Sequence, residues 1–320
     1  MPLRVAFQMD PLEGIGIAGD SSFALMLKAR ELGHRLYHYL ADTLTYTEGR
    51  LYAGAHEVTV QPVPGDHFRL GEFAILDLGT DVDVVMMRQD PPFDLGYITA
   101  THLLERIQGE TLVVNDPGAV RNAPEKLWVL DFAQFMPPTA LTRSLGFARK
   151  FLEQHGEAVL KPLHGNAGKA VFKIGRDGAN LAPLMELFNA TWREPHILQA
   201  FVPEVAEGDK RIVLVEGEVA GAINRRPGIG EIRSNLAAGG TAEAADLTPT
   251  EREICATLGP ELRRRGLLFV GIDVIGGRWL TEINVTSPTG IVAIDKFNGS
   301  DTPALIWGAI EARLAANKKA

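Results

Sequence analysis

The sequence predicts an α/β fold that becomes α+β in its C-terminal half. Three observations support this. Short apolar, β-branched runs alternate with helical segments over roughly the first 120 residues, as in parallel strands joined by helices. Hairpins mixed with helices then replace that alternation. A length of 320 residues, at about 150 residues per domain, leaves room for two domains.

The elements follow in chain order. Residues 4–9 read as a buried first strand, and 21–32 as a helix with Asp20 or Ser21 as N-cap and Gly33 as stop. Strands are expected at 35–40, 82–87 and 112–115, with a helix at 99–107. Asn122-Ala-Pro-Glu125 has capping-box spacing and predicts a helix through Leu130. Another helix is expected over 142–155, ended by Gly156. Strands at 158–162 and 170–174 flank a small-residue loop, 164–169, before a helix at 181–190 and a strand at 197–202. Residues 211–215 and 219–223 form a hairpin. Thr248-Pro-Thr-Glu251 is a capping box with Pro at the first helical position, and its helix should kink at Pro260. A second hairpin spans 267–285 about Gly276-Gly277, and Thr302-Pro303 starts a terminal helix.

Composition narrows the function. Apolar residues make up 46% and charged residues 22%, enough to bury a core without disulfides. Lys and Arg number 32 against 40 Asp and Glu, a net charge of −8, which argues against broad nucleic-acid binding. No apolar run reaches the ~18 residues of a transmembrane helix. The single cysteine, Cys255, cannot form an internal disulfide and reads as a buried, inert thiol in a reducing, cytoplasmic setting.

The strongest chemical signal is the second hairpin. With Gly276-Gly277 as a two-residue turn, Asp273 faces Leu280, and Asp273, Glu282 and Asn284 project from one face. Val270, Ile272, Val274, Ile283 and Val285 form the opposite, core face. Asp273 and Glu282 are then diagonal neighbours, with Leu280 and Phe269 lending partial burial. Two carboxylates and an amide are hard ligands suited to Mg²⁺ or Mn²⁺. A solvated acidic face is the commoner meaning of such pairs.

Two glycine motifs differ in weight. Gly14, Gly16 and Gly19 fit a dinucleotide fingerprint, with Asp42 near the ribose position, but four residues separate the first glycine from the strand. A substrate loop suits that segment better. Gly165 and Gly168 lie in a loop preceded by Lys161, a lysine within an apolar strand; such a lysine calls for an anion, and the loop can lay N–H groups on phosphates. Lys210, Arg211, Arg225, Arg226 and Arg233 cluster against the net charge, beside the Gly-rich stretch that contains Asn235.

Taken in order, nine segments resemble the prokaryotic glutathione synthetase family of ATP-grasp ligases. They are residues 9–11, 20–24, 87–94, 125–127, 160–163, 208–211, 233–240, 270–276 and 280–289, and they span nearly the whole chain. The resemblance implies an N-terminal substrate-binding domain over 1–122, an ATP-grasp small subdomain over 123–202 with lid loop 164–169, and a C-terminal subdomain over 203–320. It implies ATP contacts for Lys126, Lys161, Gly165, Gly168 and Asp209, with an adenine hinge that includes Gln199, Phe201 and Val202. Asp273, Glu282 and Asn284 would hold Mg²⁺ or Mn²⁺, and Arg211, Arg225 and Arg233 would surround the γ-phosphate and substrate carboxylates. Ser21, Arg88, Asp90, Asn235, Ser287, Pro288 and Thr289 would bind γ-glutamylcysteine or glycine. A homo-oligomer without nucleic-acid or membrane partners is expected. The family loop after Lys-Pro-Leu is richer in adjacent glycines and often carries Asp or Tyr where His164 stands; Ala167 and Lys169 also depart from it.

The implied reaction forms an acyl phosphate from ATP and the cysteinyl carboxylate, which the amine of glycine then attacks to give glutathione, ADP and phosphate. No nucleophilic side chain is needed. A carboxylate–amine ligase for other amino acids, a non-catalytic ATP-binding module and a dehydrogenase using Gly14, Gly16 and Gly19 are the rival readings.

Overall fold

The computed structural model describes residues 2–165, 168–228, 230–231, 233–235 and 239–317. Three sheets organise them. The first contains β1 (Arg4–Gln8), β2 (Arg35–Tyr39), β3 (Leu44–Thr47), β4 (Arg50–Val60), β5 (Phe68–Asp77), β6 (Val84–Met87) and β7 (Leu112–Val114), packed with α1 (Ser21–Glu31), α2 (Leu95–Leu104) and α3 (Pro117–Arg121). Its order is β3-β4-β2-β1-β6-β7, with β5 on the other edge of β4. The strands β2, β1, β6 and β7 are mutually parallel, as the alternation predicts. Asp20 caps α1 by accepting from the Phe23 amide.

Beyond this parallel core lies an antiparallel extension, β3, β4 and β5, which the strand pattern expected from the sequence does not include. β4 buries Leu51, Ala53, Ala55, Val58 and Val60, while Phe73 and Ile75 of β5 are exposed. Ala53 and Ala55 inside, with Phe73 and Ile75 outside, conceal the usual alternation at the centre of the hairpin.

The second sheet has the order β10-β9-β11-β8 and is antiparallel throughout. It comprises β8 (Thr139–Thr142), β9 (Ala158–Lys161), β10 (Phe172–Ile174) and β11 (His196–Ala200), with α4 (Leu145–His155) and α5 (Leu181–Thr191) against it. Phe151, Leu160, Ile174, Phe188 and Leu198 form its core. Two sequence expectations need correction here. Residues 139–142 form an edge strand, so the following helix begins at Leu145 behind the Ser144 cap. Asn122–Glu125 is not a capping box: the Glu125 carboxylate accepts from Thr286 Oγ1 at 2.7 Å, and its carbonyl accepts from the Ile283 amide at 3.2 Å. The helical turns come later, as a 3₁₀ segment over Trp128–Phe135.

The third sheet, β14-β13-β12-β15-β16, carries β12 (Asp209–Val215), β13 (Glu218–Arg226), β14 (Thr241–Ala244), β15 (Phe269–Ile275) and β16 (Trp279–Asn284). Around it lie α6 (Pro249–Arg264), α7 (Ile291–Asn298) and α8 (Thr302–Asn317). The capping box at Thr248 and Glu251 is present, and α6 runs on through Pro260. Asn115, just past β7, joins the first sheet to the third: its side chain accepts from the Phe269 amide and donates to the Phe269 and Val285 carbonyls, at 2.8–2.9 Å.

Candidate active site

The β15–β16 hairpin places the acids, by a different register from the one expected. The turn has three residues, because Ile275 pairs with Trp279, and an irregularity between Asp273 and Val274 leaves Thr281 unpaired. Each change shifts the register by one residue and flips the face; together they cancel. Asp273 is therefore directly opposite Glu282, and Asn284 still shares their face. Leu280 moves the other way. It pairs with Val274 and is fully buried in the core with Val270, Ile272 and Ile283, so it lends nothing to the acid face.

The neighbouring strands bring cations to the acids. Arg211 of β12 pairs with Asp273 across the sheet, and Arg225 of β13 with Asp209. Arg211 binds Asp273 bidentately, with Nε to Oδ1 at 2.6 Å and Nη2 to Oδ2 at 3.0 Å. Arg225 Nη2 lies 2.6 Å from Asp209 Oδ2 and 3.0 Å from Asp273 Oδ1. Burial pushes the Asp273 pKa up, but the two guanidinium groups outweigh it and hold the carboxyl well below the usual range. Asp209, which is bonded to Arg225 alone where Asp273 has two guanidinium partners, is pushed up by burial to about 6. Its Oδ2 also accepts from Ser234 at 2.9 Å, and its buried Oδ1 has no partner among the described residues.

Glu282 faces two buried lysines. Lys126 Nζ is 3.3 Å and Lys161 Nζ 3.9 Å from its Oε1. Burial lowers the pKa of Lys161. The same burial acts on Lys126, but Glu282 and Glu125 overcome it and leave that pKa raised. Lys126 also donates to the Gly165 carbonyl at 2.5 Å.

Two clefts meet at this hairpin. The first lies between the second and third sheets and is lined by Lys126, Lys161, Gly165, Gly168, Gln199, Phe201, Val202, Asp209, Arg233, Asn235, Asp273 and Glu282. Gln199 is oriented by donating to Thr139 Oγ1 at 2.8 Å, and Lys173 sits over the Phe201 ring at 3.9 Å. The second cleft is lined by Asp90, Glu125, Arg211, Arg225, Asn235, Glu282, Asn284, Ser287, Pro288 and Thr289. Glu282 and Asn235 belong to both walls.

Three expected residues stand differently. Arg88 and Ser21 line neither cleft. Arg88 is buried behind the second, donating to Pro288 O at 3.0 Å and Ser22 Oγ at 2.9 Å. Ser21 Oγ accepts from the Gly290 amide at 3.1 Å. Both shape the 287–290 segment, where Ser287 donates to Asp90 and Gly290 takes φ 109°, a conformation natural to glycine. Arg233 lines the first cleft, but its guanidinium pairs with Glu231. In the expected lid loop 164–169, Asn166 and Ala167 lie outside the described residues. The sequence reading did not assign Glu125, Ser234 or Thr286 to the site; Glu125 was hidden by its capping-box spacing. The Gly14–Gly19 motif turns through a 3₁₀ segment, Leu12–Gly14, rather than directly from strand to helix. Cys255 is buried and its thiol is pushed up to about 12, which removes it as a nucleophile.

Asp273, Glu282 and Asn284 offer two carboxylates and an amide oxygen from one sheet face beside the lysine cleft. This donor set suits a hard divalent cation whose other ligands are phosphate oxygens and water. Among the described residues, no group of three or more His, Cys, Asp or Glu side chains could by itself hold a metal.

A cleft held between two antiparallel sheets, floored by two buried lysines and a carboxylate hairpin, is the arrangement of an ATP-grasp ligase. The prokaryotic glutathione synthetase N-terminal domain model matches residues 3–121, and the corresponding ATP-grasp domain model matches residues 125–299. The glutathione synthetase of Bradyrhizobium diazoefficiens is 55% identical over 98% of this chain and all of its own length. That of Agrobacterium fabrum is 52% identical over 96% of each chain. Among solved structures, D-cycloserine synthetase DcsG superposes with a TM-score of 0.69 at 18% identity, over 97% of this chain and 99% of its own; this likeness concerns the fold. The chain belongs to the prokaryotic glutathione synthetase family. It is an ATP-dependent ligase that makes glutathione.

Proposed function

We propose that the first cleft binds ATP, the second binds γ-glutamylcysteine and glycine, and the reaction occurs where Glu282 and Asn235 join them. The carrying observation is that shared wall: Lys126 and Lys161 line the first cleft and Arg211 and Arg225 the second, so a γ-phosphate held by the lysines would face the arginines across it. Gln199, Phe201 and Val202 hold the adenine, Asp209 faces the ribose, and Gly165 and Gly168 cover the phosphates.

In the first step the cysteinyl carboxylate oxygen attacks the γ-phosphorus and the bond to ADP breaks. Arg211, Arg225 and Arg233 balance the charge that moves onto the transferring group. In the second step the glycine amine attacks the acyl carbon and phosphate leaves. Mg²⁺ or Mn²⁺ held by Asp273, Glu282 and Asn284 would supply charge neutralisation at the phosphate oxygens. Arg88 and Ser21 act by fixing the Ser287, Pro288 and Thr289 backbone, with Asp90, around the peptide.

The domains divide in this reading at 122 and 202. We also assign a cytoplasmic homo-oligomer. No helix among the described residues is long and apolar enough to cross a membrane, and the exposed Phe73 and Ile75 of edge strand β5 favour cover by a second copy. Sedimentation tests the oligomer; a monomer at micromolar concentration refutes it. The functional assignment is tested by ADP release with each substrate omitted in turn. It requires full turnover only with ATP, γ-glutamylcysteine, glycine and a divalent cation together, and equal rates without γ-glutamylcysteine contradict it.

A further inference from the structure

Between the two clefts lies a narrow gap, whose lining includes Phe93, Glu125, Lys126, His164, Gly165 and Thr286. Two chain segments close it from opposite sides. One runs on from Asp90, the residue that accepts from Ser287 and whose amide donates to Asp10 at 2.8 Å. The other follows β9 and brings His164 next to Gly165, the carbonyl that Lys126 holds. Their rings meet: Phe93 and His164 have centroids 5.7 Å apart and planes tilted by 31°. Phe93 rests in turn on Tyr97, at 5.3 Å, and Tyr97 is fully buried. Burial also lowers the pKa of His164, so the ring meets Phe93 as a neutral aromatic.

The contact is continuous with both binding sites. Glu282, Lys126 and Gly165 lead to His164 from the nucleotide side, and Asp90 leads to Phe93 from the peptide side. A half-buried aromatic pair across such a gap excludes water and ties two segments together at little entropic cost. Neither ring lines the two large clefts, so neither touches substrate there.

We propose that His164 and Phe93 are positioning residues that seal the junction of the two clefts and keep ATP consumption coupled to peptide-bond formation. This rests on the acyl-phosphate route given above. The side reaction the seal suppresses is hydrolysis: a water oxygen bonds to the acyl carbon, the carbon–oxygen bond to phosphate breaks, phosphate leaves, and one proton is released. The products are unchanged γ-glutamylcysteine, ADP and phosphate.

The test is the ratio of ADP to glutathione formed by the full-length enzyme. Wild type, His164→Ala, His164→Tyr and Phe93→Leu are compared with all substrates present, and ADP release alone is read with glycine omitted and with γ-glutamylcysteine omitted. The inference predicts a ratio near unity for wild type and a rise of about twofold or more for His164→Ala, with the excess ADP dependent on γ-glutamylcysteine. Phe93→Leu should follow His164→Ala, and His164→Tyr should restore coupling. A ratio of unity in both His164→Ala and Phe93→Leu overturns the inference, as does failure of the tyrosine to restore it. Excess ADP that needs no γ-glutamylcysteine overturns it as well, because water then attacks ATP directly. Transfer of carboxylate oxygen to phosphate by the wild type is measured separately; its absence removes the acyl-phosphate route itself rather than the role of the two rings.

Discussion

Replacing Glu282 by Gln removes one charge and keeps the side chain's volume. Lys126 and Lys161 then lose their nearest anion, at 3.3 and 3.9 Å, and both ammonium groups are buried. A unit pair near 4 Å at an effective dielectric of about 20 is worth ~4 kcal/mol, so the two pairs set a ceiling of ~8 kcal/mol. Water entry and side-chain relaxation reduce the cost of orphaned buried charges to ~3–5 kcal/mol. That corresponds to a melting temperature lower by roughly 10 °C. ATP carries the missing negative charge, so ATP in EDTA should raise the variant's melting temperature more than the wild type's. With divalent cation present, kcat should fall at least ~100-fold, since losing a ligand costs more than losing its outer support. Differential scanning fluorimetry and an ADP assay give both readings. Wild-type kcat together with an unchanged melting temperature would refute both the lysine pairing and the metal assignment.

The remaining predictions concern the register, one arginine and the cysteine. Leu280→Ala should cost ~2–5 kcal/mol in chemical denaturation, because the observed register buries this side chain; a loss under ~1 kcal/mol would favour the register that puts it on the acid face. Arg233→Lys keeps the charge but loses the planar fork, so it should lower kcat more than it raises the KM for ATP, by about 10-fold or more; an effect on KM alone would make Arg233 an anchor only. Cys255, pushed up from 9.0 to about 12, should resist iodoacetamide at pH 8 until the protein is unfolded. The folded state holds this proton more tightly than the unfolded one, so the thiol's share of stability declines as pH rises from about 9 towards 12. Cys255→Ser should retain turnover, and inactivation would revive a nucleophilic role.

Much of the site was legible because sheet faces obey parity. The acids at 273, 282 and 284 share a face in the expected register and in the observed one, since the longer turn and the unpaired Thr281 cancel. The same cancellation misplaced Leu280, which lies between the two changes. Local spacing cannot reveal a bulge whose reason is tertiary. Glu125 failed in a related way: Asn122 and Glu125 have capping spacing, but Thr286 and Ile283, more than 150 residues away, take the carboxylate and the carbonyl instead. The β4–β5 hairpin was hidden because Ala53, Gly54 and Ala55 erase the polar contrast between faces while Phe73 and Ile75 point outwards. Arg88 and Ser21 had the right neighbourhood but not the right depth: they hold the 287–290 segment from behind.

The mechanism depends most on direct transfer between the two clefts. γ-Glutamylcysteine labelled with ¹⁸O in its cysteinyl carboxylate, turned over with ATP and glycine, should deliver one labelled oxygen to the inorganic phosphate for each glutathione formed. Phosphate free of label, with glutathione still accumulating, would contradict the acyl phosphate and the meeting of the clefts at Glu282 on which the mechanism is built.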